Sequence, residues 1–174
     1  MLSEQDKTVD VLQMAIQMEI DGKEFYIKAS RESGNELGRR LLAQLAVEED
    51  THRRVFVDIY NSIQKRNGWP KVDFKPDGGQ ALRTLFSRVM ESAGHQLQKS
   101  SSELDAVLAA RQMETRTYDF YTLQGREVTG AAQKEFYELL AAQEQEHNLI
   151  LADYYEYLQN PAGWFVKKEH PSLD

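Results

Sequence analysis

Apolar positions return every three or four residues over four long stretches of the chain, the period of helices that bury one face. The first stripe reads Leu12, Ala15, Glu19, Gly22, Tyr26, Ala29, and the second Leu42, Leu45, Glu49, His52, Phe56, Ile59, Ile63. The third reads Val107, Ala110, Glu114, Thr117, Tyr121, and the fourth Tyr137, Leu140, Glu144, His147, Leu151, Tyr154, Leu158. Their punctuation predicts the ends. The first helix runs from about Thr8, as N-cap, to about Ser33, with Gly34 as its stop. The second opens near Asn35 and reaches Asn67-Gly68. A third follows the serines 100–102 and ends near Glu127, and the fourth lies between Thr129-Gly130 and Asn160-Pro161. Helices of about 35–50 Å need partners, because propensity alone does not hold them.

Only a few residues separate the first two helices, and likewise the last two, whereas 68–100 is a long connection. It begins irregularly, from Gly68-Trp69-Pro70 to Pro76-Asp77-Gly78-Gly79, and then places Leu82, Leu85, Phe86 and Val89 at the spacing of a short extra helix. Two tight hairpins joined by one long crossover give an all-α, ferritin-like four-helix bundle. The expected layout is one domain: a first hairpin at 8–67, the crossover at 68–100, a second hairpin at 101–160 and a tail at 161–174. In the tail, Gly163-Trp164-Phe165-Val166 is expected to dock in an apolar groove or on a second subunit.

The hairpins also repeat. Gln17-Met18-Glu19 returns as Gln112-Met113-Glu114, Phe25-Tyr26 as Phe120-Tyr121, and Glu49 and His52 as Glu144 and His147. One offset of 95 (114 − 19, 144 − 49, 147 − 52) relates every pair. Shared by two helices per half, it implies one hairpin duplicated about a pseudo-twofold axis, with too few copies for a solenoid.

Composition narrows the chemistry. The 174 residues contain no cysteine, which removes disulfides, thiol catalysis, iron–sulfur clusters and thiolate zinc sites. A net charge of −7 argues against a nucleic-acid surface. With neither a signal-peptide pattern at the start nor an apolar run of membrane length, a cytoplasmic location is expected.

In all four stripes a glutamate occupies the core register at one matching level, and in two of them a histidine follows three residues later. Buried isolated carboxylates cost several kcal/mol apiece, and no Arg or Lys stands in these stripes at that level. Metal ions supply the missing positive charge. Four carboxylates with two imidazoles suit a pair of divalent first-row ions, with iron or manganese favoured by the oxygen-rich mix. Glutamate fills 17 of 174 positions, so a single Glu-x-x-His would mean little; two of them, each with a further glutamate 30 residues upstream, mean more. The candidate ligands are Glu19, Glu49, His52, Glu114, Glu144 and His147. Tyr26 and Tyr121, two turns beyond Glu19 and Glu114, either donate to a ligand carboxylate, relay electrons or simply pack in the core. Glu24, Glu48, Asp50, Asp119 and Glu146 lie off the stripes and read as solvated surface, and His95 and His170 as ordinary surface histidines.

Together, Glu19, Glu24-Phe25-Tyr26, Glu49-x-x-His52, Glu114, Phe120-Tyr121 and Glu144-x-x-His147 resemble the rubrerythrin family of the ferritin-like superfamily over roughly residues 8–160. The resemblance implies two irons, with His52 and His147 as terminal nitrogen ligands. Glu49 and Glu144 would be terminal or bridging carboxylates, and Glu19 and Glu114 would complete the set. It further implies a di-iron oxidoreductase that reduces hydrogen peroxide or dioxygen, as a homodimer. Alternatives are ferroxidase or iron handling, and a structural bundle whose site is vestigial or holds zinc or manganese. Two departures qualify the likeness. Without cysteine the chain has no rubredoxin-type iron, so electrons would come from an external, rubredoxin-like donor. Thr117 stands where such proteins tend to carry a further glutamate, leaving a six-ligand set closer to bacterioferritin-like centres.

Overall fold

Six helices follow one another along the chain in a computed structural model that describes residues 3–93 and 101–164. They are α1 (Glu4–Glu32), α2 (Glu36–Gln64), α3 (Gln80–Ala93), α4 (Ser101–Glu127), α5 (Ala131–Gln159) and α6 (Pro161–Trp164). No strand occurs among the described residues, and the architecture is an all-α, ferritin-like bundle. Among the described residues no helix is long and apolar enough to cross a membrane. His95, His170 and the Phe165-Val166 part of the tail lie outside the described residues.

The helix ends follow from local chemistry. α1 starts earlier than Thr8: the Ser3 hydroxyl accepts from the Asp6 amide while the Asp6 carboxylate accepts from the Ser3 amide, a reciprocal cap. Thr8 instead lies inside the helix and donates its hydroxyl to the Glu4 carbonyl. Asn35 caps α2 by accepting from the Gly38 amide at 2.7 Å. α2 stops at Gln64, and the chain turns away through left-handed residues at Arg66 (φ 59°) and Gly68 (φ 71°). The crossover turns into α3 through Gly78 and Gly79, both at positive φ, while Asp77 accepts from the Gly79 and Ala81 amides at 2.9 Å each.

The repeat seen in the sequence extends to the boundaries of the elements. α1 ends at 32 and α4 at 127, while α2 and α5 run over 36–64 and 131–159. Each of these limits differs by 95 (127 − 32, 131 − 36, 159 − 64). Three-residue loops join α1 to α2 and α4 to α5, so each hairpin is antiparallel and packs mainly on itself, with α1 against α4 and α2 against α5 closing the bundle.

The polar level of the four stripes divides the interior in two. On one side lie Leu12, Ala15, Phe56, Ile59, Tyr121, Phe136 and Leu140. On the other lie Tyr26, Leu42, Leu45, Val107, Ala110, Ile150 and Tyr157, with Phe86 and Val89 of α3 added to them. Trp164 of α6 docks here against Phe86 and Tyr157, ring centroids 5.4 and 6.3 Å apart. The tail tryptophan therefore fills an apolar groove of its own chain.

Candidate metal centre

Each of the four long helices contributes one carboxylate to the level between the two apolar clusters, because three- and four-residue steps keep Glu19, Glu49, Glu114 and Glu144 on the inward face. His52 and His147 follow one turn later on α2 and α5. All six are buried, with Glu19, Glu144 and His147 fully so. Their donor atoms form two groups: Glu19, Glu49, His52 and Glu144 in one, Glu49, Glu114, Glu144 and His147 in the other, the atoms of each within 4.8 Å of one another. Glu49 and Glu144 belong to both. Gly22 leaves the space that the Glu49 carboxylate occupies, since a Cβ there would lie 3.2 Å from Glu49 Oε2.

The inward-pointing atoms lack partners. Glu19 Oε2, Glu49 Oε1, both Glu144 oxygens and the Nδ1 atoms of His52 and His147 are buried without a hydrogen bond. Yet they crowd together: His52 Nδ1 lies 3.4 Å from Glu19 and 3.3 Å from Glu144, and His147 Nδ1 lies 3.0 Å from Glu49, 3.2 Å from Glu144 and 3.5 Å from Glu114. Buried polar atoms left unsatisfied are expensive, and here six of them converge on two points. Oxygen and imidazole donors in this number fit a pair of divalent first-row cations.

The electrostatics lead to the same need. Burial and the neighbouring carboxylates push the Glu49 carboxyl well above its ordinary range, and raise that of Glu114 to about 8. Burial opposes charge on the two histidines, but Glu19 and Glu144 around His52, and Glu114, Glu144 and Glu48 around His147, outweigh it and raise both. Glu144, between the two imidazoles, is held below the carboxylate range despite its burial. Without a cation, this level stays buried only by sharing protons.

The two tyrosines are not merely core packing. Tyr26 donates its hydroxyl to Glu114, and Tyr121 donates to Glu19, each crossing from one hairpin to the other. Burial, reinforced by Glu114 for the first phenol and Glu19 for the second, keeps both well above the ordinary tyrosine range.

Three residues expected at the surface are placed otherwise. Glu48 is half-buried and accepts from His147 Nε2 at 2.9 Å and Gln143 Nε2 at 2.7 Å. Asp50 is buried under Lys23, Arg53 and Arg54, which approach its carboxylate to 2.8, 2.9 and 2.5 Å. Glu24 and Asp119 are exposed, and Glu146 is half-buried in an ion pair with Arg83 at 3.1 Å. Thr117 is buried and gives its hydroxyl to the Met113 carbonyl at 3.0 Å, so α4 presents Glu114 alone to this level.

A family model for rubrerythrin matches residues 10–155. The chain belongs to the rubrerythrin family. Rubrerythrins are di-iron carboxylate proteins, and the buried Glu and His groups of this member fit such a metal site. Neither a curated protein nor a solved structure matches this rubrerythrin-family chain.

Proposed function

We propose that this protein is a di-iron oxidoreductase that reduces hydrogen peroxide or dioxygen, drawing electrons from a separate rubredoxin-like donor. The observation that carries the reading is the pair of four-donor groups sharing Glu49 and Glu144. In this reading Glu49 and Glu144, common to both groups, would serve both metal positions, His52 and His147 would be terminal nitrogen donors, and Glu19 and Glu114 would complete one position each. When bound, the iron pair supplies one electron from each ion to the oxidant. The chain does the rest. Tyr26 and Tyr121 hold Glu114 and Glu19 in place, and their raised pKa keeps both hydroxyl protons on the phenols at neutral pH. The apolar clusters on either side exclude water from the carboxylates. By the family likeness, the protein works as a homodimer.

Thr117 favours a second reading, ferroxidase or iron handling. With a threonine there, its hydroxyl turned to the backbone, α4 adds no fifth carboxylate and the set stays at six ligands. Elemental analysis tests the site first. Protein grown with iron is expected to hold about two ions per chain, and His52→Ala and His147→Ala about one each; unchanged metal in both variants would refute the ligand assignment. Kinetics then separate the readings. Steady consumption of peroxide or dioxygen with an external reductant, and iron retained, supports the oxidoreductase. A single round of Fe²⁺ oxidation followed by iron release supports iron handling.

A further inference from the structure

Among the positions where the duplication that relates the two halves fails, one stands directly beside a shared ligand. Glu48 precedes Glu49, and its counterpart 95 residues on, preceding Glu144, is Gln143. The carboxylate is given to one histidine only. Glu48 Oε2 accepts from His147 Nε2 at 2.9 Å, while its Oε1 accepts from Gln44 at 3.3 Å. In the neutral ring this places the His147 proton on Nε2 and leaves the lone pair of Nδ1, the atom facing Glu49, Glu144 and Glu114, for a metal ion. Gln143 does not return the favour to His52. Its amide nitrogen donates to Glu48 at 2.7 Å, and its buried Oε1 has no hydrogen-bond partner. Among the described residues no acceptor holds His52 Nε2; the Phe74 ring stands edge-on to the imidazole instead, centroids 5.5 Å apart.

The two positions also differ in access. A cavity of about 470 Å³ beneath the crossover is lined by His52, Glu48, Gln143, Gln44, Thr51 and Phe74. His147 is fully buried and is not part of that lining. Both imidazoles are buried, but one is anchored and lies off the cavity, while the other is unanchored and contributes to its lining. Hydrogen bonding to the outer nitrogen of a ligating histidine orients the ring and raises its basicity, and losing such a partner typically costs 10–100-fold in metal affinity.

Resting on the metal reading above, we propose that the two metal positions are unequal: Glu48 is a positioning residue that makes the His147 position the tight, retained one, and the His52 position exchanges its ion through the cavity under the crossover. The two positions share Glu49 and Glu144, so stepwise binding to the intact site would be uneven even between equal positions. Single-position variants avoid this. His52→Ala leaves the His147 position and His147→Ala leaves the His52 position; each is stripped of metal and titrated with Co²⁺, following its visible absorption bands, with circular dichroism to verify the fold.

The His52→Ala protein is expected to bind Co²⁺ at least about 10-fold more tightly than the His147→Ala protein. Adding Glu48→Gln, which keeps size and removes the charge-assisted bond, is expected to weaken the first about 10–100-fold and alter its absorption bands, with the second unchanged. Equal affinities, or a Glu48→Gln effect shared alike by both variants, would overturn the inequality and leave the metal reading standing. No Co²⁺ bound to the unmutated protein would overturn both. Should a double variant fail to fold, Glu48→Gln in the otherwise intact chain decides: one Co²⁺ step weakened supports the proposal, and both or neither refutes it.

Discussion

At the scale of single residues, the most informative contacts are those that cross between hairpins. The hydroxyls of Tyr26 and Tyr121 reach Glu114 and Glu19, so each phenol orients a carboxylate carried by the opposite half. Tyr26→Phe and Tyr121→Phe should fold normally and lower metal affinity about 10-fold each, within the range for loss of a group that orients a ligand; equilibrium titration of stripped protein measures this. Such crossings also mark where the sequence stops being readable. Glu19, Glu49, Glu114 and Glu144 stand out because they interrupt apolar stripes at one level. Glu48 sits beside a stripe, and its partner His147 is 99 residues away, on a helix whose rotation no local pattern reveals. The only available sign was its adjacency to Glu49 and the matching polar Gln143. Asp50 was more accessible to reading, since Arg53 and Arg54 follow it at three and four residues, the spacing of pairs on one helix face.

At the scale of elements, the stripe read for the first helix and the buried face of α1 are the same six residues, because one face of a straight helix is all that a period of 3.6 has to specify. α5 buries more than its stripe, adding Phe136, Ala141, Gln143, Ile150, Asp153 and Tyr157, because its flank also meets the crossover and α6. That broader burial depends on where the crossover lands, which periodicity does not encode. The two short loops differ as well. Asn35 caps α2 and donates to Glu103 and Tyr154, both at 2.9 Å, while Ser33 also donates to Glu103. The equivalent cap of α5 is Gly130, with no side-chain bond to the helix. Asn35→Ala removes the cap and one of the donors to the buried Glu103 carboxylate, for an expected loss of about 1–2 kcal/mol in urea unfolding. Gly38 lies against the same group, where a Cβ would collide with Ser33 and Tyr154, which explains a glycine in the first turn of a helix.

At the scale of the whole molecule, the centre sits where the bundle is weakest, on a polar layer that separates two apolar clusters. Bound ions would tie all four long helices together across that layer. Metal at 100 times its dissociation constant adds about 2.7 kcal/mol to stability, which for a chain of this size corresponds to about 5–10 °C in Tm. Calorimetry with and without a chelator should show that difference, and a chelator-independent Tm would deny the ions any part in holding the bundle. Each four-donor group takes three residues from one hairpin and one from the other: Glu144 completes the group of Glu19, Glu49 and His52, and Glu49 completes that of Glu114, Glu144 and His147. Two identical hairpins facing each other would thus furnish both groups, which is the geometry of a self-associating ancestor of half the length. In such an ancestor every position would have been bound to its twin, and a carboxylate beside one ligand would have meant a carboxylate beside both. Within one polypeptide the halves are free of that identity, and Glu48 and Gln143 are different residues.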